Sequence, residues 1–169
     1  ITIDLDANGQ ASFTTADIDT GSTDACGIAN MSLNNTTYDC FGVGTNLVSM
    51  SVTDNNGNNS VCTATIRVQD HVAAQAICQD LTLQLDADGN ANISALMINN
   101  GSVDACGIAD LSVDNEDFDC TNIGVNPIVL TVRDNNNNVS TCTAMITVED
   151  KIAPVALCQN ITIDEKHYV

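Results

Sequence analysis

The chain has 169 residues and carries 22 acidic side chains against 4 basic ones, a formal charge of −18. Four scattered cations cannot neutralise a row of phosphates, which excludes nucleic acid as a partner. No apolar run approaches the roughly 18 residues of a membrane span, so no membrane insertion is expected within the segment. Hydrophobic residues at 44 % are too many for a disordered acidic tail, while 19 Asp and 21 Asn suit turns and caps better than helix interiors.

At the start Ile1, Ile3 and Leu5 alternate with polar residues, Asp6-Ala7-Asn8-Gly9 supplies turn chemistry, and Ala11 and Phe13 resume the alternation. That pattern predicts a β-hairpin. Strands are predicted next at Met31 to Leu33, Leu47 to Val52 and Val61 to Val68, the last two joined by the Asn-rich turn Asp54 to Asn58. The succession then recurs: Leu81, Leu83 and Leu85, the turn Asp86-Ala87-Asp88-Gly89, Ala91 and Ile93, and strands at Leu111 to Val113, Ile128 to Val132 and Thr141 to Val148. Pro127 is expected at the start of a strand and Pro154 in a linker, where a missing N–H does no harm. No segment has the pattern of an amphipathic helix. Short strands with frequent turn signals predict an all-β sandwich.

The recurrence is regular. Sliding the chain by 80 matches 37 of 80 positions without a gap, and GSTDACGIAN (Gly21 to Asn30) answers GSVDACGIAD (Gly101 to Asp110). Ile161-Thr162-Ile163-Asp164 repeats the opening Ile1-Thr2-Ile3-Asp4. The expected organisation is a repeat over 1–72, a second over 73–152 and the start of a third over 153–169, a sample of a longer array. Charge divides likewise, −8 over residues 1–80, −9 over 81–160 and −1 over the remainder.

Eight cysteines fall at 26, 40, 62 and 78 and, 80 positions on, at 106, 120, 142 and 158. Zinc sites want close pairs such as CxxC, and the spacings of 14, 22, 16 and 28 do not supply them. Disulfides fit a small, aromatic-poor core in an oxidising, extracellular setting. Sequence does not determine connectivity. Cys26 with Cys40 and Cys106 with Cys120 bracket short loops, each closure worth about 3 kcal/mol in the chain-entropy model. In an immunoglobulin-like sandwich the first and last strands can lie side by side, which would pair Cys78 with Cys142 and leave Cys62 and Cys158 to partners outside the segment. The alternative, Cys62 with Cys78 and Cys142 with Cys158, would staple neighbouring repeats.

The run Thr53-Asp54-Asn55-Asn56-Gly57-Asn58 through Cys62, then Thr65-Ile66-Arg67-Val68-Gln69-Asp70, resembles the TDxxGNxxxCxxxVxVxD signature of hyalin-repeat (HYR) domains. Ala153-Pro154-Val155-Ala156-Leu157-Cys158 is similar to the family's Ala-Pro-x-x-x-Cys opening, from which Ala73-Ala74 departs. Asn137 stands where the family has a turn Gly, a position Asn tolerates in a left-handed conformation. The additional pair Cys106 and Cys120, within Asp104-Ala105-Cys106-Gly107 and Phe118-Asp119-Cys120, resembles a variant in long Bacteroidetes surface proteins. The resemblance implies tandem immunoglobulin-like β-sandwich repeats of 80 residues in exported, often adhesive, cell-surface proteins.

Calcium is the one cofactor the residues suggest. Asp4 to Gly9 matches half of an EF-hand loop, but Thr15 stands where the bidentate Glu would be, which favours a plain turn. The acids Asp24, Asp54 and Asp70 recur as Asp104, Asp134 and Asp150; at the junctions of copies, where Asp70 and Asp150 lie, a hard cation could gather carboxylates from two domains and stiffen the joint. Enzyme chemistry has little to build on: His71 becomes Lys151 in the second copy, and His167 stands alone. The expected function is therefore a structural or adhesive repeat segment of a long cell-surface protein, its partners neighbouring repeats, other copies or surface glycans. Calcium-dependent glycan or surface binding, and an accessory role beside an exported enzyme, are the alternatives. Exposed aromatic side chains at Tyr38, Phe41 or Phe118 would favour binding.

Overall fold

The computed structural model describes residues 1–161, and within them one order of elements occurs twice. The first repeat has β1 (Thr2–Asp4), β2 (Gln10–Ser12), the one-turn helix α1 (Thr15–Ile18), β3 (Ile28–Leu33), β4 (Thr37–Asp39), a 3₁₀ turn (Cys40–Gly42), β5 (Gly44–Asp54) and β6 (Asn59–Gln69). The second has β7 (Leu81–Gln84), β8 (Asn90–Asn92), α2 (Ala95–Ile98), β9 (Ile108–Val113), β10 (Asp117–Asp119), a 3₁₀ turn (Cys120–Asn122), β11 (Gly124–Asp134) and β12 (Val139–Glu149). In each, a four-stranded sheet, β1-β6-β5-β3 or β7-β12-β11-β9, faces a two-stranded one, β2-β4 or β8-β10. The fold is all-β: tandem immunoglobulin-like sandwiches joined and braced by disulfides. The expected third start at Ile161 to Asp164 lies, from residue 162 on, outside the described residues.

Each core follows from alternation along the two long strands. Val48, Ile66 and Val68 meet Leu5 and Phe13 between the sheets of the first repeat. The counterparts Ile128, Ile146 and Val148, with Leu130, Val132 and Ala144, form the centre of the second, every second residue facing inward as the pleat requires. The β5–β6 turn is held by Asp54, whose carboxylate accepts from the backbone N–H of Asn56 and Asn58, both at 2.8 Å. Gly57 supplies a φ of +86° there, and Asn137 takes +70° at the matching place in the second repeat.

Three local expectations change. The predicted hairpin does not form: β1 pairs parallel with β6, with Ile3 opposite Val68, and β2 pairs antiparallel with β4, with Ala11 opposite Tyr38. Asp6 does make a tight turn, accepting from Asn8 N–H at 2.8 Å and Gln10 N–H at 3.0 Å, but it carries the chain from one sheet to the other. Alternation reports which face is buried, not which neighbour a strand bonds, and the open edge of β6 takes β1. Secondly, two one-turn helices are present; α2 buries Ala95 and Ile98, a span too short for a helical period to show. Thirdly, Pro127 lies inside β11 rather than at its start. There β12 is alongside, while pairing with β9 begins only at Leu130, so the proline sits on a locally open edge.

Ile146 is fully buried, while its neighbour Met145 is 46 % exposed. Ile146→Ala should lower unfolding stability by about 2–5 kcal/mol and Met145→Ala by less than about 1 kcal/mol, read by urea denaturation; equal losses would contradict the inward face assigned to β12.

Candidate functional site

The features that exceed a plain sandwich gather where the repeats meet. The trailing end of the first repeat offers the Asp6–Gly9 turn, the 3₁₀ turn at Cys40 and the stretch after β6 at Asp70–Val72. The leading end of the second offers the loop 102–107 and the β11–β12 turn. Asn138 joins them without a bond of its own repeat being lost: its side-chain amide donates to the carbonyls of Asp70 (3.2 Å) and Val72 (3.3 Å) and to the Asp134 carboxylate (2.8 Å). Gly9 allows the close approach, because a Cβ there would lie 2.6 Å from Cys40 Sγ and 3.2 Å from the Ala105 methyl. The connecting segment itself packs on the second repeat: Ala74, Ala76 and Cys78 join its core, and Gln75 and Cys78 bridge to Val103 and Asn99.

Burial shows the junction by internal contrast. Asp134, Cys106 and Asn138 lie against the first repeat and are covered more than Asp54, Cys26 and Asn58, their counterparts at the open leading end. Cys40, Gly9 and Asp70 are likewise covered more than Cys120, Gly89 and Asp150 at the open trailing end.

Covalent structure follows the same line. One disulfide joins Cys40 to Cys106 across the junction, and the other joins Cys78 to Cys142 at the sides of the second repeat. Cys26, Cys62, Cys120 and Cys158 are thiols, all exposed. The Cys26–Cys40 and Cys106–Cys120 loops expected from short spacing are thus replaced. Cys26 precedes β3 at the Asp54 end of the sandwich, whereas Cys40 precedes β5 at the opposite end. The 11 residues of β5 separate those ends by about 35 Å, while a disulfide needs Cα atoms within about 7 Å. Spacing along the chain hid this because β3 and β4 climb the length of the sandwich between the two cysteines. The pairings Cys62–Cys78 and Cys142–Cys158 are absent as well, since Cys78 and Cys142 take each other.

The six candidate calcium ligands divide. Asp54 is spent on its turn; the Asn58 side chain, with the backbone N–H groups of Asn58, Asn56 and Gly57, holds its carboxyl below the usual value. Asp134 serves the equivalent turn. Asp24 accepts from Cys26 N–H and Asp150 from Ile152 N–H, both exposed. Asp70 and Asp104, by contrast, come together from two repeats, one carboxylate oxygen of each within 4.8 Å of the other and of Cys106 Sγ. Asp70 is 7 % exposed, and its Oδ2 is buried without a hydrogen-bond partner. The Cys106 sulfur is committed to its disulfide, so the donors present are hard oxygens, the set calcium favours.

Among the aromatic residues Phe118 is 3 % exposed, and Tyr38 stacks on Phe13 with centroids 5.9 Å apart. Phe41 is 99 % exposed on the 3₁₀ turn beside Cys40, at the rim of a groove that Gly9, Ala105 and Asn136 also line. His71 is exposed and 3.8 Å from the exposed Asp4, a pairing of little energetic weight. His167 lies outside the described residues.

No family model matches the chain, and no curated protein does. Among solved structures it is similar to extracellular cadherin domains 1–4 of protocadherin gamma B7 (14 % identity, TM-score 0.37, covering 73 % of this chain and 42 % of that one). It is also similar to the fibronectin(III)-like modules of Clostridium thermocellum CbhA (12 % identity, TM-score 0.35, covering 93 % and 94 %). A third is the human mucin-like protocadherin EC1-2 (10 % identity, TM-score 0.36, covering 88 % and 95 %). At these scores the likenesses carry no weight for function, and the architecture rests on the strand order and register described above.

Proposed function

We propose that this chain is a tension-resisting structural segment of an exported cell-surface protein, built from hyalin-repeat-like domains and serving as a stalk or fibre. The observation that supports this best is the Cys40–Cys106 bond, which ties one sandwich to the next outside the polypeptide link. It closes a loop with sequence separation 66, worth about 4 kcal/mol in the chain-entropy model. Such bonds persist in oxidising compartments and not in the cytosol. The domain limits at 72/73 and 152/153 belong to the proposal; packing of Ala74 and Cys78 on the second core supports the first of them.

The two bonds also interlock, because Cys78 lies inside the loop closed by Cys40–Cys106 and Cys106 inside the loop closed by Cys78–Cys142. Pulled from its ends, the oxidised chain should therefore extend to roughly half the contour length of the reduced chain at about 3.5 Å per residue. Single-molecule force spectroscopy with and without reductant reads this directly, and equal extensions would overturn the proposal.

Calcium between Asp70 and Asp104 is part of the same reading, supported by the buried, unpartnered Asp70 Oδ2. A cation there would draw carboxylates of both repeats together and stiffen the joint. Millimolar calcium should raise the melting temperature of the wild-type chain and leave that of Asp70→Asn unchanged. The absence of a wild-type shift, or the same shift in both, would remove calcium from the junction. An adhesive role is the second reading, favoured by the ring of Phe41, the one exposed Phe or Tyr ring among the described residues, at the junction groove.

A further inference from the structure

Cys26 and Cys120 are held as their bonded counterparts are. Cys120 Sγ lies 3.8 Å from the carbonyl oxygen of Gly89, as Cys40 Sγ lies 3.8 Å from that of Gly9. Cys26 donates its N–H to Asp24 at 2.7 Å and its carbonyl accepts from Asn55 at 2.8 Å; Cys106 does the same with Asp104 at 2.8 Å and Asn135 at 2.7 Å. Two exposed thiols thus stand in preformed copies of the cradles that hold the junction disulfide.

We infer that Cys120 and Cys26 are docking positions for further repeats of this kind, Cys120 bonding the Cys26 equivalent of a following repeat and Cys26 the Cys40 equivalent of a preceding one. The inference rests on the junction bond assigned above. The spacing is consistent: the observed bond spans 66 residues, and with a period of 80 the equivalent of Cys26 in a following repeat falls 66 residues after Cys120. The uncovered faces agree, since Asp54, Asn58 and Cys26 are more exposed than their buried or half-buried counterparts Asp134, Asn138 and Cys106. The same translation accounts for Cys62 and Cys158. Cys62 on β6 pairs with Met50 of β5 as Cys142 on β12 pairs with Leu130 of β11, and the bond to Cys142 comes from 64 residues earlier.

The chemistry is ordinary thiol–disulfide exchange with a low-molecular-weight disulfide as oxidant. One cysteine thiolate displaces a thiolate from the oxidant to give a mixed disulfide, the partner thiolate displaces the second, and the two electrons leave on the reduced oxidant. The consequence is mechanical. A bond arriving at Cys106 and another leaving from Cys120 leave only 14 residues of each 80-residue period in the path of tension. That is about 50 Å at most, against the roughly 35 Å of an 11-residue strand. Unfolding a repeat would then lengthen the array little.

The test joins residues 1–160 directly to a second copy of residues 1–169, keeping the period unbroken, and oxidises this chain and the 169-residue chain in glutathione disulfide. Non-reducing peptide mapping should find Cys120 of the first copy bonded to Cys26 of the second, and Cys158 to Cys62 of the second. The thiol count should stay at the four of the single chain instead of doubling. Doubling with Cys40–Cys106 intact overturns this inference and leaves the function proposal standing; loss of Cys40–Cys106 overturns both. The 169-residue chain oxidised at high concentration gives an independent readout, since intermolecular bonds should be Cys120–Cys26 and Cys158–Cys62, and equal amounts of Cys26–Cys26 and Cys120–Cys120 overturn the inference.

Discussion

The structure depends on one covalent constraint, the bond from Cys40 of the first sandwich to Cys106 of the second. Besides it the repeats share the connecting segment, which packs on the second core, and the amide of Asn138, none of which ties the 3₁₀ turn of the first repeat covalently to the second. With it the 3₁₀ turn of one repeat is fixed to the leading loop of the next, and the junction acquires a defined floor. Gly9 fits under the bond, Asp134 is covered to 1 % exposure, and Asp70 is brought against Asp104. Asp70 is buried and Asp104 half-buried, and holding two carboxylates so close is unfavourable unless something offsets it, which is why the joint is also where a cation would act.

Much of the fold was legible in the residues. The 80-residue period, the long strands β5, β6, β11 and β12, and the turn chemistry of Asp54 and Asp134 follow from alternation and from the local hydrogen bonds that Asp and Asn make. Pairing partners were not legible. β1 could bond a neighbour in sequence or the far edge of β6, and nothing in Ile1-Thr2-Ile3 distinguishes the two. The cysteines show the same limit more sharply. Closeness in sequence favoured Cys26 with Cys40, but a strand of the sandwich's own length separates them in space. The signal that could have found the junction bond was the period itself: in a tandem array a partner one repeat away is as close as one within the repeat.

The acidic surface and the scarcity of aromatic rings fit this arrangement. Cores of Val, Ile, Leu and Ala with one or two buried rings each are modest, and cross-links that restrict the unfolded chain compensate for what such cores lack. Several carboxylates are occupied locally. Asp6 is held below the usual value by the backbone N–H groups of Gln10 and Asn8, and Asp119 by the hydroxyl and N–H of Thr121. The remainder act between successive repeats only over about 8 Å at physiological salt, so the contacts of the joint, more than charge, govern how the repeats meet.

Disulfide mapping of the native 169-residue chain, with thiols blocked before digestion and without reductant, tests that joint most directly. A peptide pair linking Cys40 to Cys106 is the predicted result. Peptides linking Cys26 to Cys40 and Cys106 to Cys120 would contradict it, and with it the reading of the repeats as covalently stapled to one another.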